Sequence, residues 1–407
     1  MHASRRDDEK PDTSAGEAAG VSGFAQLVNV LQARPAPVRR RRREAADAGR
    51  ANDPVSCIDD LLLRAETCSR SGRIDEAITI CHQLRPALAA EGDPARQGWC
   101  EFVLTLSHQN AGRSKEAVVA GYKAIEWQAL AAPKAPLLRT LVVLASAVAR
   151  TGDAAGAQEL LARAQRLLPE VAHSPRDRCL YWLNSGGTYH ALGDLTQAVA
   201  NSSIAQGLLG EFDDPYLHSV VEMNVLVQKV ILAVAACNGV ETPELAELLP
   251  RFRSHIARLV AAGQHFPVAK GTEDIADAYI ALGKMQEARD VLQIGIKSAD
   301  AAKAGPDRGI LELRLARIER MAGQYRRASA HIGLALELLT EGELLKDLAE
   351  AHLESSLLSE ERQHWRAALD SYRLSAQIRE RLLIAQSDAR AHALTIRLEL
   401  ERQRNDA

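Results

Sequence analysis

Aromatic residues are scarce in this chain, at 4% of 407 positions. That excludes a core of large interlocking rings. The abundance of Ala and Leu within a 46% apolar content points instead to helices that approach one another closely. Net charge is also nearly absent, at −3, so the molecule has no overall field that draws it to nucleic acid or to an anionic membrane. The six cysteines, Cys57, Cys68, Cys81, Cys100, Cys179 and Cys237, include no C-x-x-C pair. This removes the spacing of a zinc or redox site and leaves buried packing thiols as the expectation. The N-terminus lacks the apolar stretch of a secretory signal. The most apolar window, Val225 to Ala236, contains Gln228 and Lys229 and is read as too short to span a bilayer. A soluble protein of the reducing cytoplasm, with no membrane insertion and no nucleic-acid partner, is the expectation.

Catalytic patterns are missing too. There is no P-loop, G-x-G-x-x-G, H-E-x-x-H or G-x-S-x-G, and the twelve histidines have no ligand-like spacing. Of the acidic runs, Asp213-Asp214 precedes Pro215 in an expected loop, Asp7-Asp8-Glu9 lies in a polar tail, and Asp59-Asp60 has no partner motif. The chain is expected not to be an enzyme, and to need neither cofactor nor metal.

What the sequence does have is a recurring glycine. Gly72, Gly112, Gly152, Gly193, Gly283 and Gly323 are each followed five positions later by alanine, at steps of 40, 40, 41, 90 and 40 residues. One unit therefore repeats about every 40 residues. Each Gly-x-x-x-x-Ala sits between two amphipathic stretches. The glycine ends one helix in a left-handed conformation and the alanine lets the next pack tightly. The 90-residue step holds one further unit, with Gly239 as its turn and Glu241-Thr242-Pro243 as a new helix start. The eighth unit has Gln363-His364-Trp365 where glycine would stand, and a buried Trp365 is expected to offset the cost of about 1 kcal/mol.

The expected fold is all-α, a superhelical solenoid of about eight helical hairpins with a long C-terminal helix. Residues 1–55, with the Phe24–Leu31 segment and the Arg39–Arg43 run, read as a disordered tail. Residues 56–375 read as the array, and residues 376–407 as an amphipathic helix. There Leu383, Ser387, Ala391, Leu394 and Leu398 share a seam. That helix either packs back on the array or pairs with a second copy.

The fourth unit, Trp182-Leu183-Asn184-Ser185-Gly186-Gly187-Thr188-Tyr189-His190-Ala191-Leu192-Gly193 with Ala198 and Ala205, resembles a tetratricopeptide repeat. The third unit (Leu144, Ala145, Gly152, Ala157, Ala164), the sixth (Ala276, Tyr279, Gly283, Ala288) and the seventh (Leu315, Ala316, Gly323, Ala328, Ala335) agree in phase. The 40-residue period resembles the longer-helix variety of bacterial signalling regulators. Glu350-Ala351-His352-Leu353, Trp365-Arg366-Ala367-Ala368-Leu369 and the stretch to Arg404 are similar to the region joining a tetratricopeptide sensor to a GGDEF diguanylate cyclase domain. The GGDEF motif itself is not in the chain.

The resemblance implies a concave face lined by the first helix of each hairpin. Counting back from the turn places Asn184, His190, Lys229, Lys270, Asp277, Arg317 and Arg320 on it, beside Phe102, Leu106 and Leu183. Asn donates and accepts while Lys and Arg supply charge, so this set suits a peptide backbone or carboxylate. The implied function is a non-catalytic protein-interaction or sensory module of bacterial signalling that binds a peptide or protein segment in its groove, with self-association through the C-terminal helix as a further expectation. The alternatives are the regulatory part of a diguanylate cyclase, or a transcription regulator. Against the latter, neither end carries a basic recognition helix.

Overall fold

The structure is a computed structural model that describes residues 54–406. The expectations for Phe24–Leu31 and Arg39–Arg43 lie outside those residues. Among the described residues there are sixteen α-helices and no strand. They form eight pairs: α1 (Pro54–Arg70) with α2 (Ile74–Glu91), α3 (Pro94–Asn110) with α4 (Ser114–Ala129), α5 (Ala135–Arg150) with α6 (Ala154–Leu167), and α7 (Pro175–Ala191) with α8 (Leu195–Gly207). Then follow α9 (Pro215–Ala236) with α10 (Pro243–Ala261), α11 (His265–Ala281) with α12 (Met285–Ala302), α13 (Gly305–Met321) with α14 (Tyr325–Glu341), and α15 (Leu345–Glu361) with α16 (Trp365–Asp406).

The turn of unit four shows how the repeat works. Gly193 has φ +83°, and the Asp194 N–H donates back to the Tyr189 carbonyl at 2.9 Å, closing α7. The Asp194 carboxylate then accepts from the Gln197 N–H at 3.0 Å and opens α8. Ala198 is fully buried where the two helices meet. In unit five, Gly239 takes φ +79°, as the spacing predicts. In unit eight Gln363 takes the left-handed conformation at φ +60°. Trp365 does not offset that cost by burial, because its ring lies 63% exposed on the outside of α16.

The two helices of a pair occupy different layers. On α11 every residue from Phe266 to Ala276 is buried, the mark of an inner helix packed on all sides. On α12 burial is confined to one helical stripe, Ala288, Val291, Leu292, Gly295, Ser298 and Ala299. First helices thus form the inner wall and second helices the outer one. The apolar helix α9 has 22 residues and is long enough to cross a bilayer by composition, longer than the window read from sequence. Here 56% of its apolar window is buried within the array.

The spiral closes on itself. The turn at Gly72 abuts Phe266, at the start of α11. Arg113, in the second turn, faces Glu343, ahead of α15, at 3.9 Å. At the third turn the Arg390 guanidinium donates to the Thr151 carbonyl, and Arg397 pairs with Glu159 at 2.8 Å. Helix α16 runs without a break through 375 to Asp406 and lays Ala393 into the core of units two to four, beside Tyr122 and Leu144. The five cysteines whose side chains are described are free and buried.

Candidate functional site

The inner wall is far more filled than the hairpin pattern alone implies. Asn184 is wholly buried and donates to the Leu180 carbonyl at 2.7 Å within its own helix. Asn224, 40 residues on, does the same to Val220 at 2.8 Å. Leu106 and Leu183 are core residues between helices. His190 is also enclosed, and burial pushes its imidazole down to about 4. Asn184, Leu106, Leu183 and His190 do not face an open groove, because each is enclosed within the packed array. Lys229 is half-buried on α9.

Lys270, Asp277, Arg317 and Arg320 of the expected groove are each held by an opposite charge one repeat away. Lys270 pairs with Asp307, Asp277 with Arg314 at 2.9 Å, and Arg317 with Glu354 at 3.5 Å. Arg320 reaches Glu354 at 2.5 Å and also pairs with Glu361. At the centre, Arg314 is 2% exposed and reaches Glu273 at 2.7 Å and Glu350 at 3.3 Å as well. Burial pushes Glu273 up to about 7 and raises the Asp274 and Asp347 carboxyls too. Asp274 Oδ2 is buried without a hydrogen-bond partner. The inner face of units six to eight is therefore a packed ionic core.

The sequence carried a sign of this stitching. Arg96 with Asp59, Arg139 with Asp177, Arg176 with Asp214, Lys270 with Asp307 and Arg314 with Asp277 are opposite charges 37 or 38 residues apart that bridge successive first helices. Two of the acidic runs, Asp59-Asp60 and Asp213-Asp214, are absorbed in this way, and Asp214 also caps α9 through the Leu217 N–H at 3.0 Å.

Units one to three are different. A cavity of about 450 Å³ opens between α1, α3 and α5, lined among others by Glu66, Arg96, Trp99, Phe102, Gln128 and Arg139. Trp99 and Phe102 stand three apart on α3, Pro136 and Arg139 three apart on α5, and Asp59 and Glu66 seven apart on α1. Each helix thus turns one face to the space. Of the ten residues expected in the groove, Phe102 is the one that lines this cavity.

The rim is rich in acceptors. Trp99 Nε1 donates to Glu66 at 2.8 Å, and burial raises the Glu66 carboxyl although Arg70 lies 3.3 Å away. Gln128 donates through Nε2 to the Gly98 carbonyl at 3.1 Å, which leaves its buried Oε1 without a hydrogen-bond partner. The two arginines are already committed, Arg96 to Asp59 at 2.8 Å and Arg139 to Asp177 at 2.7 Å. An apolar floor with waiting acceptors suits a side chain that brings an N–H donor. A second cavity of about 420 Å³, lined by Glu241, Leu249, Arg253, Tyr279, Lys284 and Glu287, is bridged by the Lys284–Glu241 pair at 2.7 Å.

No family model matches the chain, and no curated protein sequence matches it. Solved structures do. A Rap protein complexed with Competence and Sporulation Factor superposes with a TM-score of 0.51 at 13% identity, covering 81% of this chain and 99% of that one. Aspartyl phosphate phosphatase F from Bacillus subtilis gives a TM-score of 0.51 at 13% identity, over 90% of this chain and 96% of that one. At such identity the likeness is one of fold. The chain is an all-α, tetratricopeptide-like helical-repeat solenoid.

Proposed function

We propose that this chain works by binding rather than by chemistry, as an interaction module that seats a peptide or protein segment in the cavity of units one to three. The observation that carries the reading is the pairing of an apolar floor, Trp99 and Phe102, with the unpartnered acceptor of Gln128. A buried acceptor left without a donor costs about 1–3 kcal/mol, and a bound N–H group would recover that. A protein of similar fold, the Rap protein, is solved as a complex with Competence and Sporulation Factor, which supports a partner-carrying role for such solenoids. The resemblance of residues 350–404 to the region before GGDEF domains is what supports reading the module as part of bacterial signalling.

The test is selection of binders from a random peptide library on the full chain, followed by affinity measurement. Trp99→Ala is expected to weaken a selected peptide at least tenfold, about 1.4 kcal/mol, with unchanged helical circular dichroism. Lys229→Glu, outside the cavity, is expected to leave affinity as it was. Equal binding by wild type and Trp99→Ala would move the site elsewhere.

A further inference from the structure

Helix α16 is held by one face only. Ala368, Ser375, Ile378, Ala389 and Ala393 are buried along its inner side. On the outer side Trp365, Leu369, Tyr372, Leu383, Leu394 and Leu398 stay between 48% and 66% exposed. Their positions follow an eleven-residue repeat. Trp365, Ala376, Ser387 and Leu398 form one register, Leu369, Glu380 and Ala391 a second, and Tyr372, Leu383 and Leu394 a third. All ten are exposed. A repeat of eleven spans three turns at 3.67 residues each, so the stripe runs almost straight along the helix.

The stripe is self-complementary when reversed. About a two-fold axis between residues 381 and 382, Trp365 falls opposite Leu398 of a second copy, Leu369 opposite Leu394, Tyr372 opposite Ala391, Ala376 opposite Ser387, and Glu380 opposite Leu383. The largest rings meet smaller partners and no large side chain meets itself. A parallel arrangement would set Glu380 against Glu380 and stack like rings in register, which is unfavourable. From Trp365 to Leu398 the strip is roughly 50 Å long and about 10 Å wide, so two copies would cover roughly 1,000 Å² between them, the lower end of the range for a specific interface. A net charge of −3 leaves little repulsion between copies.

We propose that the outer face of α16 is a dimer interface, pairing antiparallel with the same face of a second copy. The interface is isologous, the commonest form of closed self-association. Its ten residues are distinct from Arg390, Ala393 and Arg397, which make the contacts to units two to four, so each solenoid stays intact.

Solution mass of the full chain tests this. The wild type at micromolar concentration is expected at twice 44.2 kDa. Leu383→Glu with Leu394→Glu is expected at the single mass, with unchanged circular dichroism because both positions are exposed. Mixing a Trp365→Cys chain with a Leu398→Cys chain under mild oxidation is expected to give the mixed disulfide. A wild-type chain of single mass, or a double variant that stays dimeric, overturns the interface. A disulfide between two Leu398→Cys chains in place of the mixed one overturns the antiparallel register.

Discussion

Position 274 shows what a single carboxyl does inside a stacked array. It stands nine residues before its turn glycine, as Asn184 and Arg314 do in their units, and Asn224 follows Asn184 by 40. Units four and five hold this site with an amide that bonds its own helix, whereas Asp274 leaves Oδ2 without a partner. Burial raises the folded carboxyl above its unfolded value, so the native state loses stability as pH rises through the folded pKa and keeps it below the unfolded one. Asp274→Asn is therefore expected to stabilise the protein by about 1–3 kcal/mol near pH 8, with the gain vanishing towards pH 4. Urea midpoints at both pH values check it, and an equal gain at both would refute the assignment to charge. Arg314→Ala is the opposite case. It strips Glu273, Asp277 and Glu350 of their shared cation and is expected to cost about 3–5 kcal/mol, part of which Glu273→Gln should restore in a double-variant denaturation series.

At the scale of the element, turns were legible and walls were not. The glycine and alanine of each unit report local backbone geometry, which sequence states directly. Counting back from Gly193 does place Asn184 on the inner wall. It does not reveal that this residue is enclosed within the packed array, because that depends on residues about 40 positions away. The cavity escaped for a similar reason, since Glu66, Trp99 and Arg139 belong to three different units. Trp365 misled because an aromatic ring at a turn reads as core, while the outer side of α16 has nothing above it. The turns also differ in what surrounds them. A side chain at Gly193 meets open space, whereas a Cβ at Gly72 would sit 2.7 Å from the Phe266 ring. Gly193→Ala is expected to cost about 1–2 kcal/mol, the left-handed penalty alone. Gly72→Ala should lower thermal stability further, and equal melting shifts for the two would mean that the first turn and α11 do not meet.

For the whole molecule, the meeting of Arg390 and Ala393 with units two to four ties the last helix to the early part of the chain. Ala393→Asp places a charge in that buried contact and is expected to release the end of α16. Hydrogen exchange should then accelerate over residues 386–400 while residues 365–380, packed on α15, keep their protection. Unchanged exchange would show that the helix end is held by other means.

Repeat proteins ordinarily tolerate gain or loss of a copy, since each module touches only the next. Here the first, second and third turns each have an assigned counterpart some 190 to 240 residues later. Duplicating or deleting one module between them would rotate every counterpart out of place, so the number of modules in this chain is fixed by geometry.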